Sequence, residues 1–258
     1  MKGALATSAL IARPVTRTER GGGGRPVSLV TAAMIAAARV GFGALSPRLT
    51  AFWVALALLV VAGCGGDDGD EKTGAALPAG CARVSAPQPK QVSLEPPPAT
   101  PPGAASATVE TSCGSFTIAL DTARAPRTTS SFAYLARQGV YDDTLMHRII
   151  PGFVVQGGDP AGSGTGGPGY TIDEQPPRNL SYTRGIVAMA KSPVEPPGRS
   201  GSQFFVVTGA DAGLTPDYAL LGRVTRGLDV VQRIEQLGTP SGRPKMPVII
   251  RRVTLQSG

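Results

Sequence analysis

The 258-residue chain has one histidine, His147, and it stands beside Arg148. That single count excludes much chemistry. No His-x-x-x-His or Cys-x-x-Cys pair exists, so the common zinc sites are absent. A Ser-His-Asp triad would have to use His147, and no Gly-x-Ser-x-Gly elbow accompanies it. No Gly-Lys-Ser/Thr phosphate loop is present. No metal and no cofactor are expected. What remains at His147-Arg148 is a fixed positive charge with no metal, phosphate or covalent nucleophile to help it.

The formal net charge is +7, and much of the excess lies near the ends, at Arg13, Arg17, Arg20, Arg25, Arg39 and Arg48 and at Arg243, Lys245, Arg251 and Arg252. Aromatics make up 5% and do not interleave with a basic stripe. Nucleic acid is not an expected partner.

The elements that must position Arg148 begin well along the chain. Residues 51–63 (AFWVALALLVVAG) form an apolar run after Arg48, too short to span a hydrocarbon core of roughly 30 Å. The basic flank, apolar run and small-residue end match a secretory signal. Val61-Ala62-Gly63-Cys64 resembles the lipobox of bacterial lipoproteins, which would make Cys64 the lipidated N-terminus; the bland alternative is a buried apolar helix. The charged glycine tract that follows argues against a buried helix. A start at Met34 would give a more ordinary leader. Residues 1–63 are thus expected to be an N-terminal extension plus signal peptide, and 64–107 a disordered tether rich in Gly and Pro. Cys81 and Cys113 are either a disulfide clipping the tether to the first strand, which an exported setting permits, or two independent thiols.

Residues 108–258 read as the folded domain. Thr108–Thr111 and Ser115–Leu120 bracket Cys113-Gly114 as a hairpin. Thr128–Arg137 and Leu228–Leu237 have helical spacing, the first ended by Gly139. Phe153–Val155, Gly185–Ala190, Phe204–Val207 and Pro247–Ile250 are short, apolar and separated by glycine-rich loops. Many short strands with two helices predict a mainly β fold, a closed antiparallel barrel capped by helices.

Tyr141–Pro160, with His147-Arg148-Ile149-Ile150-Pro151-Gly152-Phe153 at its centre, resembles the signature of the cyclophilin family of peptidyl-prolyl isomerases. Gly164–Tyr170, Val187–Ala190, Gly201–Val206, Leu221–Val224 and Gly227–Val231 resemble its later motifs, in family order. The resemblance spans about residues 108–256. It implies an eight-stranded antiparallel closed barrel with two capping helices, and catalysis of rotation about X–Pro bonds.

By the same resemblance Arg148 is the catalytic arginine. Phe153, Val154, Phe205 and Leu214 line a proline pocket, with Tyr218 flanking it. Gln156 and Gln203 bond the substrate backbone and orient the arginine. Ala190 and Lys191 form a backbone-gripping edge, where the family usually has Asn in place of Lys191, and Gly164 sits beside a neighbouring subsite. Met146 replaces the usual Phe, a soft apolar exchange. Gly213 replaces a frequent Trp, which puts cyclosporin sensitivity in question. His147 is read as structural.

The expected partners are proline-containing polypeptides and a membrane, through a lipid on Cys64. The expected protein is a monomer outside the cytoplasm, assisting the folding of exported proteins. A proline-peptide-binding chaperone or adaptor with little turnover is the alternative.

Overall fold

The computed structural model describes residues 76–98 and 103–257. The hairpin β1 (Ser106–Thr111) and β2 (Gly114–Leu120) leads into α1 (Pro126–Arg137). Then come β3 (Thr144–Leu145), β4 (Arg148–Ile150), β5 (Val154–Gly157), β6 (Ile172–Asp173), β7 (Ile186–Met189), β8 (Arg199–Ser200) and β9 (Phe204–Val207). The chain finishes with β10 (Leu220–Arg226), α2 (Leu228–Glu235) and β11 (Ile249–Gln256). Nine strands make one antiparallel sheet in the order β3-β11-β1-β2-β10-β7-β9-β5-β4, and β6 pairs with β8 as a separate ribbon.

The mainly β fold with two helices is as expected, but the closed eight-stranded barrel is not. The sheet has nine strands, and no ladder joins its outermost strands, β3 and β4. The reason lies in the chain. Only Met146 and His147 separate these two strands, so their nearest Cα atoms are at most about 11 Å apart. One extended run pairs first with β11 and then with β5, at opposite edges of the sheet. The sheet is a curled half-barrel, with Met146 and His147 linking its two outermost strands.

Curling gives each central strand two covered faces. Val155, Val187, Met189, Phe204 and Val206 join the larger core with Phe132 of α1 and Ile234 of α2. Their sequence neighbours Val154, Ile186, Ala188, Phe205 and Val207 form a second cluster with Tyr182 and Leu220. This is the period of two of a strand, with both faces apolar.

The helix ends are closed from a distance. α1 begins with proline in its first turn, where a missing N–H costs nothing. Its Arg127 and Thr128 N–H groups donate to the Glu174 carboxylate at 3.0 and 2.7 Å. α2 starts at Gly227 in the left-handed region (φ 74°), where a Cβ would lie 2.4 Å from the Ser115 carbonyl oxygen. Only glycine lets the chain turn there against β2.

Residues 76–98 fall within the stretch expected to be a disordered tether. They form no helix or strand, yet they lie along the domain as a strap. Cys81 and Cys113 are joined in a disulfide. Ala82 N–H donates to Ser112 O at 2.7 Å, Lys90 N–H to Pro160 O at 2.8 Å and Leu94 N–H to Pro168 O at 2.8 Å. Cys81, Val92 and Leu94 pack on the larger core. Proline-rich composition disfavours regular structure, but it does not prevent an extended chain from bonding to loops.

Residues 1–75, with the expected signal and the Val61–Cys64 lipobox, lie outside the described residues. Among the described residues, no helix is long and apolar enough to cross a membrane.

Candidate active site

Strand register assembles the site. Arg148 of β4 stands opposite Gln156 of β5, Gln156 opposite Phe205 of β9, and Phe205 opposite Ala188 of β7. Four side chains from four strands therefore form one cross-strand row on the outer face. One row further, Ile150, Val154 and Val207 are opposed in the same way. Directly opposed residues on one face are within contact distance.

Arg148 Nη1 donates to Gln156 Oε1 at 3.1 Å. Gln156 Nε2 in turn donates to Gln203 Oε1 at 3.1 Å. Gln203 Nε2 donates to the carbonyls of Gly164 at 3.1 Å and Gly166 at 2.9 Å. The chain of bonds is oriented at every link and leaves the guanidinium with further donors for a ligand.

The β4–β5 turn positions the ring beside it. Ile150-Pro151-Gly152-Phe153 closes with Phe153 N–H on Ile150 O at 3.1 Å, and Gly152 has φ 73°. Proline followed by a positive-φ glycine is the requirement of a type II turn. The turn brings the Phe153 ring under the guanidinium, with Cζ 5.6 Å from its centroid.

The apolar end of the site is built on aromatics. Phe205 and Tyr218 meet edge to face, centroids 5.5 Å apart. Tyr182 contacts both rings, at 6.3 and 6.0 Å. Its hydroxyl donates to Tyr218 O at 2.6 Å and accepts from Tyr218 N–H at 3.0 Å. Burial pushes Tyr182 up to about 12, so its hydroxyl keeps its proton and its donor role. Leu214 and Phe153 pack against this cluster. Lys191 Nζ lies over the Tyr218 ring at 5.4 Å and donates to Glu195 O at 3.0 Å. Ala190 N–H donates to Gln203 O at 2.8 Å, so a grip on a ligand there falls to the Ala190 carbonyl and the Lys191 backbone.

All eleven residues singled out in the sequence as catalytic or substrate-binding line one groove of about 1110 Å³. Four residues that matter were not singled out. Asp159 is fully buried, and its carboxylate accepts from the N–H groups of Ala161 (2.8 Å), Gly164 (2.6 Å) and Gly166 (3.2 Å) and from Ser163 Oγ (3.2 Å). It holds the loop whose carbonyls hold Gln203. An acid followed by nothing but small residues, Pro160 to Gly167, was the available signal. Tyr182 is a lone aromatic in a polar stretch, informative in a chain so poor in aromatics. Gln91 also lines the groove, with its neighbour Val92, from the strap, and nothing in a proline-rich segment marks either residue.

His147 is half-buried, with Nδ1 buried and without a hydrogen-bond partner. Burial holds its pKa below the ordinary value; Asp159 opposes the shift and Arg148 reinforces it. Among the described residues, no group of three or more His, Cys, Asp or Glu is placed to hold a metal ion.

Residues 106–255 match the family model described as cyclophilin type peptidyl-prolyl cis-trans isomerase/CLD. The peptidyl-prolyl cis-trans isomerase-like 1 of Aspergillus niger is 41% identical over 151 residues, covering 57% of this chain and 91% of that protein. A peptidyl-prolyl cis-trans isomerase of Arabidopsis thaliana is 39% identical over 150 residues, covering 56% and 90%. The crystal structure of a Cryptosporidium parvum cyclophilin type isomerase, determined with the dipeptide Ala-Pro, aligns with a TM-score of 0.55. It is 30% identical, and the alignment covers 59% of this chain and 99% of that one.

Proposed function

This chain belongs to the cyclophilin-type peptidyl-prolyl cis-trans isomerase family, whose activity is rotation about X–Pro peptide bonds, and from that premise we propose that Arg148 supplies the catalytic charge in the groove. Rotation is slow because amide resonance must be broken, against a barrier of about 18–20 kcal/mol. At the twisted geometry the proline nitrogen regains its lone pair. A guanidinium donates to that nitrogen better than to the planar amide, and such a preference for the twisted state is what lowers the barrier.

The observation that carries this assignment is the Arg148–Gln156–Gln203 chain of hydrogen bonds beside the Phe205–Tyr218 pocket. An arginine held in advance reorganises little during the reaction. Phe205, Val154, Leu214 and Phe153 take the proline ring, with Tyr218 as a wall. Gln156, Gln203, Gly164, Ala190 and Lys191 hold the flanking backbone. Turnover of a four-residue Ala-Pro peptide by the full chain tests this. Arg148→Ala should lower kcat/KM by about 10²–10³, the loss typical of one transition-state donor. Unchanged turnover contradicts the assignment. Loss of turnover in the wild type itself, with peptide binding kept, would favour the adaptor reading.

The proposed setting is outside the cytoplasm, with the chain anchored by a lipid on Cys64 and acting on exported proteins. Two features support it: the apolar run 51–63 directly before Cys64, and the Cys81–Cys113 disulfide, a bond that persists in oxidising compartments. The proposed state is a monomer. Among the described residues Val194 is the exposed large hydrophobic, so no apolar patch calls for a partner.

A further inference from the structure

The matched family region begins at residue 106, yet two groove residues, Gln91 and Val92, come before it. They belong to the strap, which is anchored at both ends of the contact and locked further back. Lys90 N–H bonds Pro160 O and Leu94 N–H bonds Pro168 O, each at 2.8 Å. These bonds bracket the Gly164–Gly166 loop that holds Gln203. Lys90 Nζ donates to the carbonyls of Gly139 (3.4 Å), Val140 (3.3 Å) and Asp142, just past the end of α1. The Cys81–Cys113 disulfide fixes the strap to the β1–β2 turn.

The domain is shaped to receive it. Gly169 has φ 96°, and a Cβ there would lie 2.8 Å from the Ser93 Cα. Any side chain at 169 would push the strap off the loop. The groove, at about 1110 Å³, also exceeds the roughly 300–1,000 Å³ usual for a small-ligand pocket. A single proline and its neighbour leave part of it to be filled by more chain.

We propose that the strap adds a subsite to this groove, with Gln91 and Val92 contacting the polypeptide that flanks the proline on the side of the Gly164–Gly166 loop. The ligand is an extended peptide segment. Gln91 offers it an exposed amide and Val92 a half-buried apolar surface. The strap thereby gives the isomerase a preference among sequences several residues from the proline, which the proline pocket alone cannot read. This rests on the groove being the isomerase site.

The test uses the full oxidised chain and ten-residue peptides with one Ala-Pro core. Their flanks are apolar or basic, placed before the proline in one pair and after it in another. Gln91→Glu keeps size and adds a charge at an exposed position. It should shift the basic-to-apolar ratio of kcat/KM about threefold or more for one of the two pairs, an effect of the size of an exposed charge pair. Val92→Glu, checked for a retained thermal midpoint, should shift the same pair in the same direction. Ratios equal to wild type for both pairs in both variants overturn the inference. Arg148→Ala separates the two failures: if it abolishes turnover of every peptide while the strap variants leave the ratios alone, the groove is the active site and the strap is merely structural.

Discussion

Arg148 is held before any substrate arrives, and the holding is relayed. Its guanidinium rests on Gln156, Gln156 on Gln203, Gln203 on two loop carbonyls, and the loop on Asp159. The relay predicts that Asp159 matters to catalysis without touching substrate. Asp159→Ala leaves buried donors unpaired and should cost about 2–4 kcal/mol of stability. In the fraction still folded, kcat should fall about tenfold or more as the arginine loses its register. Loss of stability with unchanged kcat at low temperature would remove Asp159 from the relay. The type and place of Arg148 were legible in the sequence because its neighbours form a dense motif. Asp159 was not, since its role consists of hydrogen bonds to backbone that no side-chain pattern displays. His147 makes a separate prediction. Burial favours its neutral form, so its folded pKa lies below the unfolded one. Stability from this group is complete above about pH 6.5 and is lost as pH falls through the lower, folded value. The thermal midpoint of wild type should drop more between pH 7.5 and pH 5 than that of His147→Gln. Equal drops would contradict the account.

At the scale of elements, β9 is the most instructive. Phe204 and Phe205 are adjacent, alike and both buried, but they serve different faces. Phe204 meets Phe132 and Tyr141 in the core at 5.8 Å from each, while Phe205 meets Tyr182 and Tyr218 and stands opposite Gln156. Phe204→Ala should cost about 3–5 kcal/mol of stability, and Phe205→Ala should raise KM several-fold beyond its own stability cost. Denaturant unfolding and steady-state kinetics on both variants check this; a larger KM for the Phe204 variant would reverse the assignment of faces. Strand alternation puts adjacent residues on opposite faces, and the family resemblance marked Phe205 as the pocket residue. The open, nine-stranded sheet was not readable, because its outermost strands, β3 and β4, are two and three residues long. Their pairing with opposite edges is decided by tertiary curling rather than by local pattern. The same holds for the strap, whose anchors include loop carbonyls as far along the chain as Pro160 and Pro168.

As proposed, the whole molecule is a proline-rotating groove lengthened by a strap and held at a membrane by a lipid. The last element is tested in cells producing the full chain. A radioactive fatty acid should label wild type and not Cys64→Ala, and labelling of both would remove the anchor. Catalysis in this proposal rests on Arg148 favouring the twisted amide over the planar one. Exchange NMR on a proline peptide in the presence of the full chain measures binding and interconversion separately. For Arg148→Ala the account predicts an interconversion rate on the enzyme lower by about 10²–10³, with peptide affinity changed by less than tenfold. Affinity lost to that same extent, with the rate on the enzyme preserved, would show that Arg148 only binds the substrate.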